Sequence, residues 1–291
     1  MRLAFTLLLA LSLPAAAQCD ARKWRTLLGT RSAYPATATS VDDALSKPGF
    51  ADRFASFVNS RFNPEPGRDH GADASYYVAA HVLSSGLPWR ELFVGRFNVP
   101  NKSYPTVQAD PNGLGYFTSE GWLLRYAGNE PDGWLIVAAN RILQNTIGSV
   151  RVAAANNSDA STPNDSEGRR APACAGCHYV GAYALDHVAR VLPRKRVVNG
   201  KTTFLPAIGV PQPVLNRQLS TTRELVETLV ASDAFNFWSC RLAFEFVYGR
   251  AEYACEAPLF DRCVDAFAAS GKIQDAVKLL IEDPGFCGGA P

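Results

Sequence analysis

The sequence predicts a mostly α-helical protein of two helical modules, with one small β-hairpin inserted in the second. Three observations carry this. Apolar and aromatic residues recur at helical spacing through most segments. Pro193 to Pro213 holds a β-like stretch, Val197, Val198 and Thr202 to Leu205, split by Asn199-Gly200, a hairpin signal. Residues 156–170, rich in Asn, Ser, Asp, Thr, Pro and Gly, break the apolar pattern and mark the internal boundary.

Taken in order, residues 1–17 read as a signal peptide. Arg2 precedes an apolar run from Leu3 to Leu13, and Ala15-Ala16-Ala17 supplies the small-x-small cleavage pattern. Cys19 raises a lipoprotein reading, but Gln18 stands where a lipobox wants a small residue, so cleavage after Ala17 is preferred. Residues 18–155 form the N-terminal module. Its first part, 18–48, is expected to hold one short helix at most. Phe50, Phe54 and Phe57 then mark a helix over 49–60, and 61–71 is a loop. A second helix covers Ala72 to Ser84, with Tyr77, Val78, His81 and Val82 along one stripe. Pro88-Trp89 opens a short third helix. Residues 100–115 are loop-rich, and Trp134 to Leu143 is helical.

Beyond the 156–170 loop, residues 171–291 form the second module. Tyr179 to Leu192 is expected as one helix. Thr221 and Glu224 make a capping box before a helix through Ala231. An aromatic helix from Ala234 to Tyr248 stops at Gly249. Leu259 to Ala269 stops at Gly271, and Ile273 to Ile281 closes the tail.

Composition limits the function. The 291 residues are 47% hydrophobic and 19% charged, which excludes a disordered chain. The net charge of +2, without a broad basic face, gives no support to nucleic-acid binding. No segment after the leader is apolar for long enough to span a bilayer. The only methionine is Met1, so a cleaved chain has none.

Cys174-Ala175-Gly176-Cys177-His178 is a C-x-x-C-H sequence, the attachment signature of c-type haem. Two thiols three positions apart can add across the two vinyl groups of one porphyrin, and the next residue places an imidazole under the iron. Composition alone predicts about 0.002 chance occurrences in a chain of this kind, so coincidence is a poor account. A redox dithiol belongs beside a βαβ pattern, which is lacking here. A zinc knuckle needs a second ligand pair, and the remaining cysteines of this half lie more than 60 residues further on. Cys174 and Cys177 are thus the expected thioether anchors of one haem c, and His178 the expected iron ligand.

The run Pro172-Ala173-Cys174-Ala175-Gly176-Cys177-His178, with Ala184-Leu185-Asp186 after it, resembles the planctomycete-type cytochrome c domain families. Ala51-Asp52-Arg53-Phe54 and Pro88-Trp89-Arg90-Glu91-Leu92 are similar to the helical module that precedes the motif there. Ser232, Phe235, Gly249-Arg250 and Pro284-Gly285-Phe286 resemble the helical module that follows. The Asp-Pro that follows the motif in those families is replaced by Val180-Gly181. The resemblance implies haem c binding and electron transfer, and names no substrate.

Three other histidines are candidates for the sixth iron position. His187 lies nine residues past His178, about 13 Å along a continuous helix, and would point away. His81, on an apolar stripe, reads as a distal ligand or as a core histidine, and His70 as a solvated loop residue. A methionine ligand is excluded in the cleaved chain, which leaves His81 or an open site. Trp89, Trp122, Trp134 and Trp238 read as core or as electron relays, and Arg194-Lys195-Arg196 as a solvated turn or a dock for an acidic partner.

The expected protein is therefore an exported, periplasmic or secreted, bacterial monohaem cytochrome exchanging single electrons with donor and acceptor proteins. Two alternatives stand: a peroxidase-like haem enzyme with an open distal site, and a haem-stabilised binding module of a secreted complex. Export also predicts disulfides. Cys240–Cys263 and Cys255–Cys287 are the expected pairs, with Cys19 left over.

Overall fold

A computed structural model describes residues 15–29, 38–67, 73–100, 106–126, 133–149 and 166–288, so most of the predicted leader and His70 lie outside the described residues. Over these residues the protein is mostly α-helical, with three small two-stranded antiparallel sheets.

The first half holds α1 (Ala15–Leu28), α2 (Val41–Ser46), α3 (Pro48–Phe62), α4 (Ala74–Ser84) and α5 (Glu91–Val94). Strands β1 (Phe97–Asn98) and β2 (Gln108–Ala109) pair next, followed by α6 (Glu120–Arg125) and α7 (Ile136–Ile147). Helix α3 begins on Pro48, whose fixed φ suits a first turn, and it buries Phe50 and Phe54 completely. Phe54 meets Trp89 edge-on at 5.7 Å between ring centroids. On α4, Val78 and Val82 are buried, and α4 packs along α3. Asp73, buried just before α4, accepts hydrogen bonds at 2.8 Å from Asn59 and Asn63, which ties the end of α3 to the start of α4.

The second half begins with a 3₁₀ turn, Gly168–Arg170, then α8 (Pro172–His178) and α9 (Leu185–Arg190). Strands β3 (Arg194–Val198) and β4 (Lys201–Leu205) form the expected hairpin. Asn199 and Gly200 both have positive φ, 49° and 74°, as a two-residue turn of this kind requires. A second hairpin, β5 (Gln212–Val214) with β6 (Arg217–Leu219), turns through Leu215 and Asn216, also at positive φ. Helix α10 (Thr222–Val230) starts at the capping box of Thr221 and Glu224. Then come α11 (Asp233–Tyr248), α12 (Ala257–Ser270), α13 (Ile273–Glu282) and α14 (Pro284–Gly288). Gly249 and Gly271, at φ 71° and 68°, end α11 and α12 in the left-handed conformation.

One hydrophobic core runs through both halves, from Leu27 to Phe286. Phe246 of α11 packs on Phe54 of α3 at 4.9 Å. The Trp89 amide donates to the Gly271 carbonyl at 2.7 Å, and Lys278 of α13 pairs with Asp42 of α2 at 2.6 Å.

Four expectations are corrected. Residues 18–48 hold α1 and α2 rather than one short helix, because Leu27 and Leu28 bury at one end of α1 and Cys19 is tethered at the other. The helix expected over Tyr179–Leu192 is only α9. Gly181, at φ 94°, turns the chain first. The β1–β2 pair, α6, the β5–β6 hairpin and α14 are additional elements. Finally, Cys240–Cys263 is present between α11 and α12, but Cys287 pairs with Cys19, not with Cys255. Phe286 explains the second pairing: it is buried against Tyr248, and Arg22 of α1 lies 4.5 Å over its ring, so α14 docks beside α1. The Cα atoms of Cys19 and Cys287 are 5.4 Å apart, an ordinary span for a disulfide, and Cys255 is exposed and outside any disulfide. Two disulfides suit an oxidising compartment. Among the described residues no helix is long and apolar enough to cross a membrane.

Candidate functional site

The C-x-x-C-H motif is helix α8. Ala171 is extended and Pro172 occupies the first turn, so the chain enters the helix abruptly, with the Cys174 amide donating to the Ala171 carbonyl at 2.8 Å. Along a helix, positions i, i+3 and i+4 share a face. Cys174, Cys177 and His178 therefore stand together, with Cys174 between the other two. Cys177 is exposed, and Cys174 and His178 are partly so. Helix α8 packs mainly on the Gly168–Arg170 turn and on α9.

Behind His178 lies a polar cluster. Its Nδ1 is 2.8 Å from Oδ2 of Asp186, the second residue of α9, whose side chain is only 2% exposed. Arg169, 4% exposed, donates to the same carboxylate with a fork: Nη2 to Oδ1 at 2.8 Å and Nε to Oδ2 at 3.1 Å. The Tyr179 hydroxyl donates to Oδ1 at 2.9 Å. Burial alone would raise the Asp186 carboxyl, but the hydrogen bonds from His178 and Arg169 override it and hold it at about 2. The carboxylate is thus ionised at any ordinary pH. Burial pushes the Tyr179 phenol up, and the bond to Asp186 adds to this, so it stays a neutral donor. Arg170 stacks over the Tyr179 ring at 4.1 Å and closes the cluster.

This donor set fits a c-type haem. Both thiols are outside disulfides and share a helical face with the imidazole. With Nδ1 facing a carboxylate, the histidine proton belongs on Nδ1 and the lone pair on Nε2, directed away from Asp186. An ordered acceptor behind a metal-binding histidine is the usual way its ring is oriented. The set does not make a metal cage: among the described residues no three His, Cys, Asp or Glu side chains converge as one.

The other candidates fall elsewhere. His81 sits on α4 with its ring 4.8 Å from Phe97, and α4 packs on α3 and α5 while α8 packs on α9. His187 is on α9, its Nδ1 3.1 Å from Oε1 of Gln212 and its ring 6.0 Å from Tyr179. His187 follows Asp186 on α9, and its Nδ1 is engaged by Gln212. Trp89 and Trp122 are buried among aromatic rings, and Trp238 donates to the Asn145 carbonyl at 3.1 Å. Trp134 is flanked by Arg190 and Arg194 at 5.3 and 5.7 Å, and the 194–196 cluster lies on strand β3 rather than in a turn, with Arg194 partly buried over that ring.

Arg169 and Tyr179 were not apparent as site residues from the sequence, and Asp186 entered only through the family resemblance. An Arg-x₈-His-x₇-Asp spacing is no recurring motif; the signal is the buried ion pair, which exists only once the chain has turned at Gly181. Comparisons with protein-family models, with curated proteins and with solved structures find no match to this chain.

Proposed function

We propose that this protein is an exported c-type haem protein that transfers single electrons between partner proteins. The observation that carries the reading is the C-x-x-C-H helix with its histidine held at Nδ1 by a buried carboxylate. Cys174 and Cys177 would anchor the porphyrin, each S–H adding across a vinyl group so that sulfur bonds carbon and the proton completes the neighbouring carbon. His178 would ligate iron through Nε2. Bound haem supplies a one-electron ferric–ferrous couple. The chain's own contribution is to fix the imidazole, keep its proton on Nδ1, and set the charge behind it through Asp186 and Arg169. The resemblance to planctomycete-type cytochrome c domains supports the same reading, and the two disulfides agree with export.

A second reading, small-molecule binding or peroxidase-like turnover at an open distal site, is favoured by one observation. With Met1 removed the chain has no methionine to serve as a sixth ligand. Carbon monoxide separates the two: rapid binding to the ferrous protein supports an open site, and no binding supports a six-coordinate carrier.

The experiment is expression in a host with the c-haem maturation system, followed by intact mass and a pyridine-haemochrome spectrum. One covalent haem is expected, and the Cys174→Ala/Cys177→Ala protein is expected to carry none. A parent protein without covalent haem, or a double variant that retains it through denaturation, overturns the reading.

A further inference from the structure

We infer that Asp186 is a positioning residue that sets the reduction potential of the His178-ligated site, with Tyr179 moderating it; this rests on the haem reading above. Three features of the cluster point this way. The first is the choice of acceptor. A neutral carbonyl would be enough to orient the ring, yet His178 faces an ionised carboxylate at 2.8 Å whose own side chain is nearly closed to solvent. An anion there draws the Nδ1 proton toward itself and makes Nε2 a stronger donor. A stronger donor stabilises ferric over ferrous iron, so the potential falls.

The second feature is how that anion is kept. A carboxylate 2% exposed needs a partner, and Arg169 supplies it through a two-pronged bond while being itself 4% exposed. An Arg–Asp pair alone would close the α8–α9 corner. It would not need the motif histidine on Oδ2, and the histidine would not need a charged acceptor. The third feature is competition. Tyr179 donates to Oδ1 at 2.9 Å and withdraws part of the charge that His178 would otherwise feel. Removing the acceptor's charge and removing a competing donor must therefore move the potential in opposite directions. A purely structural cluster predicts no such opposition.

The variants are Asp186→Asn and Tyr179→Phe in the haem-loaded protein, read by redox titration with haem content checked by haemochrome. Asp186→Asn is expected to favour reduction by roughly tenfold, about 59 mV for one electron. Tyr179→Phe is expected to disfavour it by about threefold, the effect of one hydrogen bond. Loaded, folded variants with unchanged potentials, or with shifts of the same sign, overturn the inference. If Asp186→Asn fails to fold, the sign of the Tyr179→Phe shift decides alone. The full-length Cys174→Ala/Cys177→Ala protein gives an independent reading by ¹⁵N NMR of its imidazoles. His178 should be held as the Nδ1–H tautomer there, and adding Asp186→Ala, which leaves no acceptor, should release it. Should the parent protein prove to carry no haem, the proposed function fails, and the NMR result alone keeps or overturns the positioning role.

Discussion

Helices α11 to α13 and the motif segment 166–190 belong to one half of the chain but are held by different forces. The helices bury Phe235, Leu242, Phe244, Phe260, Phe267, Val277, Leu280 and Ile281, and Cys240–Cys263 joins α11 to α12. Their exposed edges carry ion pairs such as Arg250 with Glu256 at 2.7 Å. In the motif segment, Pro172, Cys174, Ala175 and Cys177 of α8 are all exposed or only partly buried. Its position depends on Arg169, Asp186, His178 and Tyr179, with Leu185, Val188 and Ala189 of α9 anchoring the base. Apolar burial is non-directional and gains with area, so it suits a scaffold. Hydrogen bonds to a charged acceptor are directional, so they suit an atom that must point one way. The molecule keeps bulk stability and orientation in separate places, so each is expected to respond to perturbation without the other.

The largest test of that separation is Phe244→Ala. Phe244 is fully buried, stacks on Tyr248 with centroids 4.4 Å apart, and lies 6.3 Å from Phe260. Its truncation should cost about 3–5 kcal/mol in urea unfolding, as for other buried phenylalanines. On the proposed haem reading, the variant that still folds should retain haem attachment and an unshifted potential. A potential that moves with Phe244 would show that the two regions are coupled.

The same contrast explains what could be read from sequence. Phe50 and Phe54 announced α3 because burial follows a helical period. Thr221 with Glu224, Asn199-Gly200, Gly249 and Gly271 announced ends and turns because their chemistry is local. Cys174, Cys177 and His178 were readable because one helical turn brings them together. Asp186 was not assignable as the His178 partner, since its approach depends on the turn at Gly181 and on Arg169, 17 residues away. A continuous helix over 179–192 would have carried Asp186 off. Likewise Cys19 and Cys287, 268 residues apart, meet only because Phe286 finds a place in the core. Helix α1 itself is largely polar, so its apolar period was faint.

Disulfides supply the next test. Non-reducing peptide mapping should return Cys19 with Cys287 and Cys240 with Cys263, and Cys255 should alkylate without reduction. A Cys255–Cys287 peptide would restore the pairing expected from sequence and displace α14 from α1. Replacing Cys240 and Cys263 with Ala should cost about 3 kcal/mol, from a loop spanning 23 residues. If the protein carries the proposed haem, stability lost here should again leave its redox midpoint in place.

The smallest effect probes how loosely α8 is packed. Gly176 lies inside α8, is exposed, and a Cβ built on it meets nothing within 4 Å. Its φ is not left-handed, so an alanine fits the backbone as it stands. Gly176→Ala should therefore raise stability by about 0.5–1 kcal/mol, through the entropy glycine brings to the unfolded chain. Gly148 is the control. It ends α7 at φ 67°, and a Cβ there would press into the Trp238 ring, so Gly148→Ala should destabilise. The two substitutions are chemically identical, and opposite signs in urea unfolding would reflect the left-handed φ and the Trp238 contact at Gly148, neither of which Gly176 has. If Gly176→Ala instead costs stability, something covers the outer face of α8, and the motif helix is not the open, polar-held element that contrasts with α11–α13. The haem-loaded and haem-free proteins should respond alike, because Gly176 is turned about 160° from Cys174 along the helix, away from the face that bears the thiols.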